Sequence, residues 1–478
     1  MLKKDFDYFL PFSRNGVYLQ KFLPWNGKRT KTPWFKISRQ LVELSFFVLT
    51  LKMKEMLLLK NALADSGNGL TPGQDVLLAD GRIRAVGTAL PCPAGTTVID
   101  LEGKLLSYGF ADLHVHFREP GAPQKETIRT GSLAAARGGY TTVCAMPNLD
   151  PAPDAPETIA VEQALIDRDA CIQVLPYATI TRGRRGEEVV DMAALKGRCV
   201  AFSDDGSGVQ RETVMLEAMR RAAALDCILA AHCEDNTLLR GGYIHDGRWC
   251  AAHGHRGICS ESEWGQIARD LELAARTGCR YHVCHVSTKE SVELIRQAKR
   301  SGVAVTCETG PHYLVLCEDD LQEDGRFKMN PPLRGSDDRA ALLEGVADGT
   351  IDAIATDHAP HTAEEKSRGL AGSAMGIVGL ETAFPVLYTK LVRTGQLPLA
   401  RLLDALCATP RRIFRLGGAL REGERADLTV LDLDAEYTID SRLFLSKGHA
   451  TPFDGWEVCG AVRATWSGGN LVWNDHLV

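Results

Sequence analysis

The chain has 478 residues, 45% of them hydrophobic, and a net charge of −6. That length exceeds one ordinary domain and leaves room for a large core. The acidic balance gives no reason for a nucleic-acid surface, and the one apolar stretch near the start, residues 41–51, contains Glu43 and is too short to span a bilayer. The 14 cysteines include no CxxC pair, and many, such as Cys144, Cys199, Cys227 and Cys307, lie in apolar runs. They read as small buried hydrophobes in a reducing, cytoplasmic compartment.

In chain order, residues 1–55 stand apart. They carry 11 Lys/Arg against 4 Asp/Glu, a local +7 that leaves −13 on the rest, and 11 of the 32 aromatics. They read as an N-terminal extension to a domain that opens at Met56, with a targeting or partner-binding segment as the alternative. Residues 56–107 predict short strands broken by turn signals such as DSGNG and ADG. From 108 to 420, strand-like runs alternate with helical patterns such as RETVMLEAMRRAAALD and KESVELIRQAKRSG. The strand candidates are Ala111–Phe117, Thr141–Met146, Ile172–Ala178, Cys199–Asp204, Cys227–His232, Tyr281–Val286, Val303–Glu308 and Ile351–Asp357. Eight βα units in a row predict an α/β chain with a (β/α)8 barrel of the TIM type rather than an open doubly wound sheet. No glycine-rich phosphate loop follows any of them. Residues 421–478 return to short strands, and the two flanks are expected to pair into one small β-sandwich.

Five of these strands end on metal-type side chains: His114 and His116, Asp205, His232, His285 and Asp357. Imidazoles and carboxylates suit zinc and similar ions, and strand ends are where a barrel keeps its chemistry. In the HVH motif, positions i and i+2 share a face, so two imidazoles can reach one ion from one strand. Alternation points the side chains of Cys233 and Cys284 away from the ligand face, and sets His282 opposite to His285. Arg118, two residues beyond His116, offers a planar guanidinium that can hold a carboxylate through two hydrogen bonds. A salt bridge at the barrel mouth is its plainer reading.

The ordered motifs HVHFREPG (114–121), KETIRTGSLAAARGGYTTVCAMPN (125–148), AFSDDG (201–206), AAHCEDN (230–236), CHVST (284–288), GPHY (310–313), MNPPLR (329–334) and ATDHAPH (355–361) resemble dihydroorotase. More narrowly, they resemble its bacterial class I branch within the amidohydrolase superfamily. The resemblance spans residues 56–478. It implies reversible, zinc-dependent cyclisation of N-carbamoyl-L-aspartate to L-dihydroorotate plus water, in de novo pyrimidine synthesis. It places His114, His116 and Asp357 on one zinc and His232 and His285 on another, with Asp205 bridging the two and Asp204 as the alternative register. Asp357 is the implied proton shuttle. Arg118, Asn148, Asn330 and His361 are the implied carboxylate contacts, with Met375 and Gly376 a substrate-facing backbone stretch. Leu149 departs from the threonine common at that point of the motif. A homo-oligomer is expected, and a complex with aspartate transcarbamoylase stays open.

Two other readings compete. One is an allantoinase- or hydantoinase-type cyclic amidase, against which Arg118 speaks, since it suits a carboxylated ring. The other is a catalytically silent subunit of aspartate transcarbamoylase, against which the complete ligand set speaks. His312 is balanced between a site role and a structural one, while His245, His253, His255 and His282 read as loop or packing residues.

Overall fold

The computed structural model describes residues 56–477 apart from position 68, so the expected extension at 1–55 lies outside the described residues. β1 (Leu57–Asp65) begins where the sequence turns apolar, and Leu57, Leu58 and Leu59 are all buried. It pairs antiparallel with β2 (Leu70–Ala79), which pairs antiparallel with β3 (Arg82–Gly87). Asp80 (φ 51°) and Gly81 (φ 72°) make the two-residue turn between β2 and β3, the Asp-Gly chemistry that suits a twisted hairpin. On its other edge β1 divides. Leu57–Lys60 takes β4 (Thr97–Asp100) and Leu63–Ala64 takes β5 (Leu105–Tyr108), both parallel.

The next strands run parallel. β6 (Phe110–Val115), β7 (Tyr140–Ala145) and β8 (Gln173–Pro176) form one sheet. β9 (Ile228–Ala231) is followed by a loop holding the short pair β10 (Ile244–His245) and β11 (Gly257–Ile258). β12 (Arg280–Val283), β13 (Val305–Thr309) and β14 (Ala353–Ile354) complete a second sheet with β9. Single parallel bridges join the two sheets at both seams: Ala178 to Phe202 to Leu229 on one side, and Val115 to His358 on the other. The strands thus close into a ring, with the segment at Phe202 as the fourth of eight. The expected strand Cys199–Asp204 narrows to that one residue in the ring, with Cys199 bridging only Lys196. Its neighbour Asp204 turns instead to the amides of Ile180 and Thr181, at 2.9 and 3.0 Å.

Every residue of β6 and β7 is buried, as expected of parallel strands covered on both faces. The covering helices start on side-chain caps: Thr127 for Ile128–Arg137 and Thr288 for Lys289–Arg300. Inside the ring, Cys144, Met146, Tyr177, Ile228, Ala230 and Phe414 belong to a separate apolar cluster. Along β9 the same face carries Ile228, Ala230 and then His232 beyond the strand's end, so the apolar layer gives way to an imidazole. After the barrel, β15 (Leu428–Thr438) pairs antiparallel with β5 and with β16 (Glu457–Ser467), and β16 with β17 (Asn470–Asn474). Strands from both flanks therefore share one hydrogen-bonded assembly. Among the described residues, no helix is long and apolar enough to cross a membrane.

Glu162 is an exception to the satisfied interior. It lies on helix Pro156–Asp169, is 1% exposed, and neither carboxylate oxygen has a hydrogen-bond partner. Burial raises its pKa well above the ordinary value. The folded state therefore keeps a proton that the unfolded chain releases above ~4.3, and stability falls as pH rises from there through the raised folded value. Glu162→Met should stabilise the fold by about 1–3 kcal/mol at pH 8 and by less at pH 5, measured by denaturant unfolding. An equal gain at both pH values would show that burial of the charge is not the cause.

Candidate metal centre and substrate cavity

The strand ends bring six buried side chains to one point: His114, His116, Asp205, His232, His285 and Asp357. Asp205 is central. Its Oδ1 lies 3.3 Å from His114 Nε2, 3.4 Å from His285 Nε2 and 3.7 Å from His232 Nδ1, while Oδ2 lies 3.4 Å from His116 Nε2. Asp357 Oδ1 faces His116 Nε2 at 3.2 Å and His114 Nε2 at 3.6 Å. His232 Nδ1 and His285 Nε2 approach to 2.9 Å. Asp204, next in sequence to Asp205, turns its carboxylate away, onto the Ile180 and Thr181 amides and the Thr181 hydroxyl.

Backbone geometry does part of this work. His285 (φ 33°), Asp357 (φ 47°) and Arg118 (φ 58°) all occupy left-handed conformations, each of which costs a non-glycine residue about 1–3 kcal/mol. Asp112 braces one of them. Its carboxylate accepts from the His114 amide at 3.0 Å and the Thr356 hydroxyl at 2.6 Å, fastening β6 to the residue before Asp357. The turn at His285 also overrides the expected alternation. Cys284 is not on the far side, because its sulfur groups with His114 and Glu308, their ligand-type atoms all within 4.8 Å of one another. Cys233 does turn away, to the Tyr281 hydroxyl at 3.2 Å.

Burial pushes Asp205 towards its protonated form, but the charge of His114 and the hydrogen bonds of His114, His232 and His285 outweigh it and hold its pKa well below the ordinary range. Asp357 behaves alike: burial opposes ionisation, and His116, His114 and His285 bring its pKa down to about 2. His114 Nε2 and Asp205 Oδ1 are buried without a hydrogen-bond partner. His114 Nε2 faces that oxygen at 3.3 Å, an approach made favourable by a second proton on the ring, whose pKa, against burial, the carboxylate raises well above the ordinary value, or by a cation between the two. The donor set therefore fits a divalent metal. The ligand atoms of His114, His116 and Asp357 lie within 4.8 Å of one another, and so do those of His114, Asp205 and His285.

Outer partners set the imidazole tautomers, and two were missed in the sequence. Glu308, at the end of β13, lies 2.9 Å from His114 Nδ1 and 3.2 Å from His282 Nε2. An ionised carboxylate only accepts, so both nitrogens donate and His114 Nε2 keeps its lone pair for the centre. His282 is thus part of the site's support, with Thr306 Oγ1 2.8 Å from its Nδ1. Asn148 does the same for His116, accepting from Nδ1 at 2.8 Å. Glu234 is the other missed residue. It accepts from Asn330 Nδ2 at 3.0 Å and lies 3.5 Å from His232 Nε2. Its one signal in the sequence is its place two residues after His232.

A cavity of about 220 Å³ opens over the centre. Arg118, Asn148, Asn330, His361, Met375 and Gly376 all line it, together with His116, Asp205, His232, His285 and Asp357. Arg118 anchors its Nε on the Pro360 carbonyl at 3.4 Å, and burial lowers its pKa to about 10, which leaves it charged at neutral pH. Asn330 Oδ1 is buried without a partner. His361 donates Nε2–H to the Met375 carbonyl at 2.8 Å, and burial, then the charges of Arg118 and Lys125, depress its pKa to about 4. His312 is buried against Tyr313, ring centroids 4.0 Å apart, with Nε2 unpartnered. His253 and His255 stack on Trp249, in and beside the β10–β11 loop.

A closed α/β barrel carrying buried histidines and carboxylates at its strand ends, with a polar cavity above them, defines a metal-dependent hydrolase of the amidohydrolase kind. A dihydroorotase-like family model matches residues 103–291. The chain is 52% identical to a dihydroorotase of Geobacillus sp. (strain WCH70) over 420 residues, 87% of this chain and 98% of the relative. It is 52% identical to one of Bacillus caldolyticus over 418 residues, with the same coverage. The chain belongs to the dihydroorotase family and is a cyclic amidohydrolase. Among solved structures it is similar to an L-hydantoinase from Arthrobacter aurescens, with a TM-score of 0.79 at 28% identity over 88% of this chain and 96% of that one. A dihydropyrimidinase from Brevibacillus agri shares the fold, with a TM-score of 0.76 at 21% identity over 88% of this chain and 95% of that one.

The role given to Glu308 has a direct check. Glu308→Ala should weaken metal binding by about 10- to 100-fold, read by chelator competition, with the circular dichroism spectrum unchanged. Unaltered affinity in a folded variant would remove Glu308 from the support of the centre.

Proposed function

We propose that this cavity carries out the reversible ring closure of N-carbamoyl-L-aspartate to L-dihydroorotate plus water, with two zinc ions per chain, in the cytoplasm. Residues 108–420 form the catalytic barrel in this reading, and 56–107 with 421–478 form the β-sandwich beside it. The observation that carries the proposal is the pairing of a buried carboxylate among four imidazoles with a charged guanidinium in the same cavity.

His114, His116 and Asp357 would hold one zinc, His232 and His285 the other, with Asp205 shared between them. When bound, the metals supply Lewis acidity, which favours ionised water near neutral pH and polarises a carbonyl oxygen. Everything else falls to the chain. Arg118 holds the substrate carboxylate in a bidentate pair, with the free Nδ2 of Asn148 as a further donor, while the unpartnered Oδ1 of Asn330 is left to accept from a ring N–H. His361 keeps the Met375–Gly376 backbone against the ring through its bond to Met375. In ring opening, Asp357 takes the proton from the attacking water and gives it to the departing ring nitrogen. In ring closure it takes the nitrogen's proton and returns it to the leaving oxygen.

Asp205→Ala should abolish turnover and lower zinc content. Asp204→Ala should keep the full zinc complement, yet lose about 1–3 kcal/mol of stability through the stranded Ile180 and Thr181 amides. The reverse pattern of zinc loss would move the bridge to Asp204.

Substrate choice rests on Arg118. Removing one member of a buried charge pair costs ~2–5 kcal/mol, so Arg118→Ala should cut kcat/KM for dihydroorotate at least ~30-fold with zinc content intact. Activity on dihydrouracil, which has no carboxylate, should change far less. Wild-type preference for allantoin over dihydroorotate would overturn the assignment.

A further inference from the structure

Behind the cavity wall, one side chain ties together three backbone carbonyls on two stretches of chain. Lys366 ends the short helix Ala363–Lys366 and is 6% exposed. Its Nζ donates to the carbonyl oxygens of Gly376 at 2.7 Å, Ala374 at 2.8 Å and Lys328 at 3.0 Å. An ammonium has three protons, so each finds one acceptor and none is left over. The Lys328 carbonyl also accepts from the Gly376 amide at 3.1 Å. Lys366 thereby locks the strand of chain that leads into Asn330 to the one that carries Met375 and Gly376. Asn330, Met375 and Gly376 all line the substrate cavity, and Lys366 does not.

The tie is tight at Gly376. Its φ is +133°, and a Cβ built there would lie 2.6 Å from the Ala359 carbonyl oxygen. Gly376 is thus wedged between Ala359, two residues past Asp357, and the amine of Lys366. Its position sets how far the wall stands from the centre. The three partners of Lys366 are neutral carbonyls, and burying an ammonium against neutral groups is costly. Burial accordingly lowers its pKa to about 7, with the charge of Lys328 adding to the effect and Asp324 opposing it. An apolar side chain of similar length would fill the same space at less cost. What it would lack is the three-point tie.

We propose that Lys366 is a positioning residue that sets ring specificity: by pinning the Lys328, Ala374 and Gly376 carbonyls, it holds Asn330 and the Met375–Gly376 stretch at the spacing a carboxylated ring needs. It touches neither substrate nor metal. This rests on the reading of the cavity as a carboxylate site, and it predicts an effect on substrate binding that is separate from the metal centre.

Lys366→Met in the full chain loaded with zinc provides the test. The KM for dihydroorotate should rise about 10-fold or more, the scale of a small misplacement in a site, with kcat and zinc content close to wild type. Dihydrouracil hydrolysis should lose far less. Lys366→Ala should show the same loss and recover part of it with added propylamine, which can return an amine to the space. An unchanged KM, an equal loss on both rings, a loss of zinc, or a folded Lys366→Ala that propylamine does not help would each overturn the proposal. Failure of both variants to fold would do so too, since the lysine would then be purely structural. Failure of the underlying carboxylate reading shows separately, as a wild type that does not favour dihydroorotate over dihydrouracil.

Discussion

Asp205 is buried with one carboxylate oxygen facing three imidazoles and the other facing a fourth. Such a group can stay in a low-dielectric interior only while positive charge stands against it at short range. That requirement reaches outward through the structure. Strand ends from β6, β9 and β12 must converge on the segment after Phe202 to within a fraction of an ångström. The chain accepts left-handed backbone at His285 and Asp357 to achieve this. Those conformations persist because their neighbours are over-determined. Thr356 is fixed by Asp112, and the His116 amide donates to the His358 carbonyl at 2.8 Å.

The support extends beyond the barrel. His358, directly after Asp357, lies 3.4 Å from Glu126 and 3.4 Å from Ser446 through its Nε2. Glu126 precedes the cap of the first barrel helix, and Ser446 belongs to the C-terminal flank between β15 and β16. A residue from the last tenth of the chain thus stands behind Asp357. Beneath the centre, the apolar cluster around Met146, Tyr177 and Phe414 excludes water and so strengthens every charge interaction above it.

The residues that meet at Asp205 were legible because a strand end is a simple local signal: an apolar run followed by histidine or aspartate, with HVH presenting both imidazoles on one face. What could not be read was anything that depends on a departure from the strand. Alternation places Cys284 away from the centre, and it fails there because His285 takes a positive φ and reverses the count. His282 looked like a packing residue for the same reason; its importance comes from Glu308, more than twenty residues away in sequence and bonded to it only in the closed ring. The fourth strand was visible as a run of residues but not as a single bridge, since its length is decided by Asp204 turning to Thr181. Lys366 gave no signal at all. A lysine after two glutamates reads as surface charge, and only the fold places three carbonyls around its amine.

The division between centre and wall explains how one scaffold can serve several cyclic amides. The likeness to an L-hydantoinase and to a dihydropyrimidinase covers 88% of this chain, so the barrel itself does not choose the ring; fold and function separate at the site. The metal-type residues sit at strand ends, held by ladder hydrogen bonds and by outer acceptors such as Glu308 and Asn148. The residues that would meet the ring's substituents sit on connecting segments: Arg118 just after β6, Asn330 between β13 and β14, and Met375–Gly376 beyond β14. Segments of that kind can change side chains without disturbing the centre. They also need anchors of their own, because sheet pairing reaches them at most through a single bridge, that of Ile377 to His358. Pro360 for Arg118, Glu234 for Asn330, and Lys366 for Gly376 supply those anchors here. If these segments meet the ring as proposed, selectivity is a property of how loops are tied down, as much as of which side chains they carry.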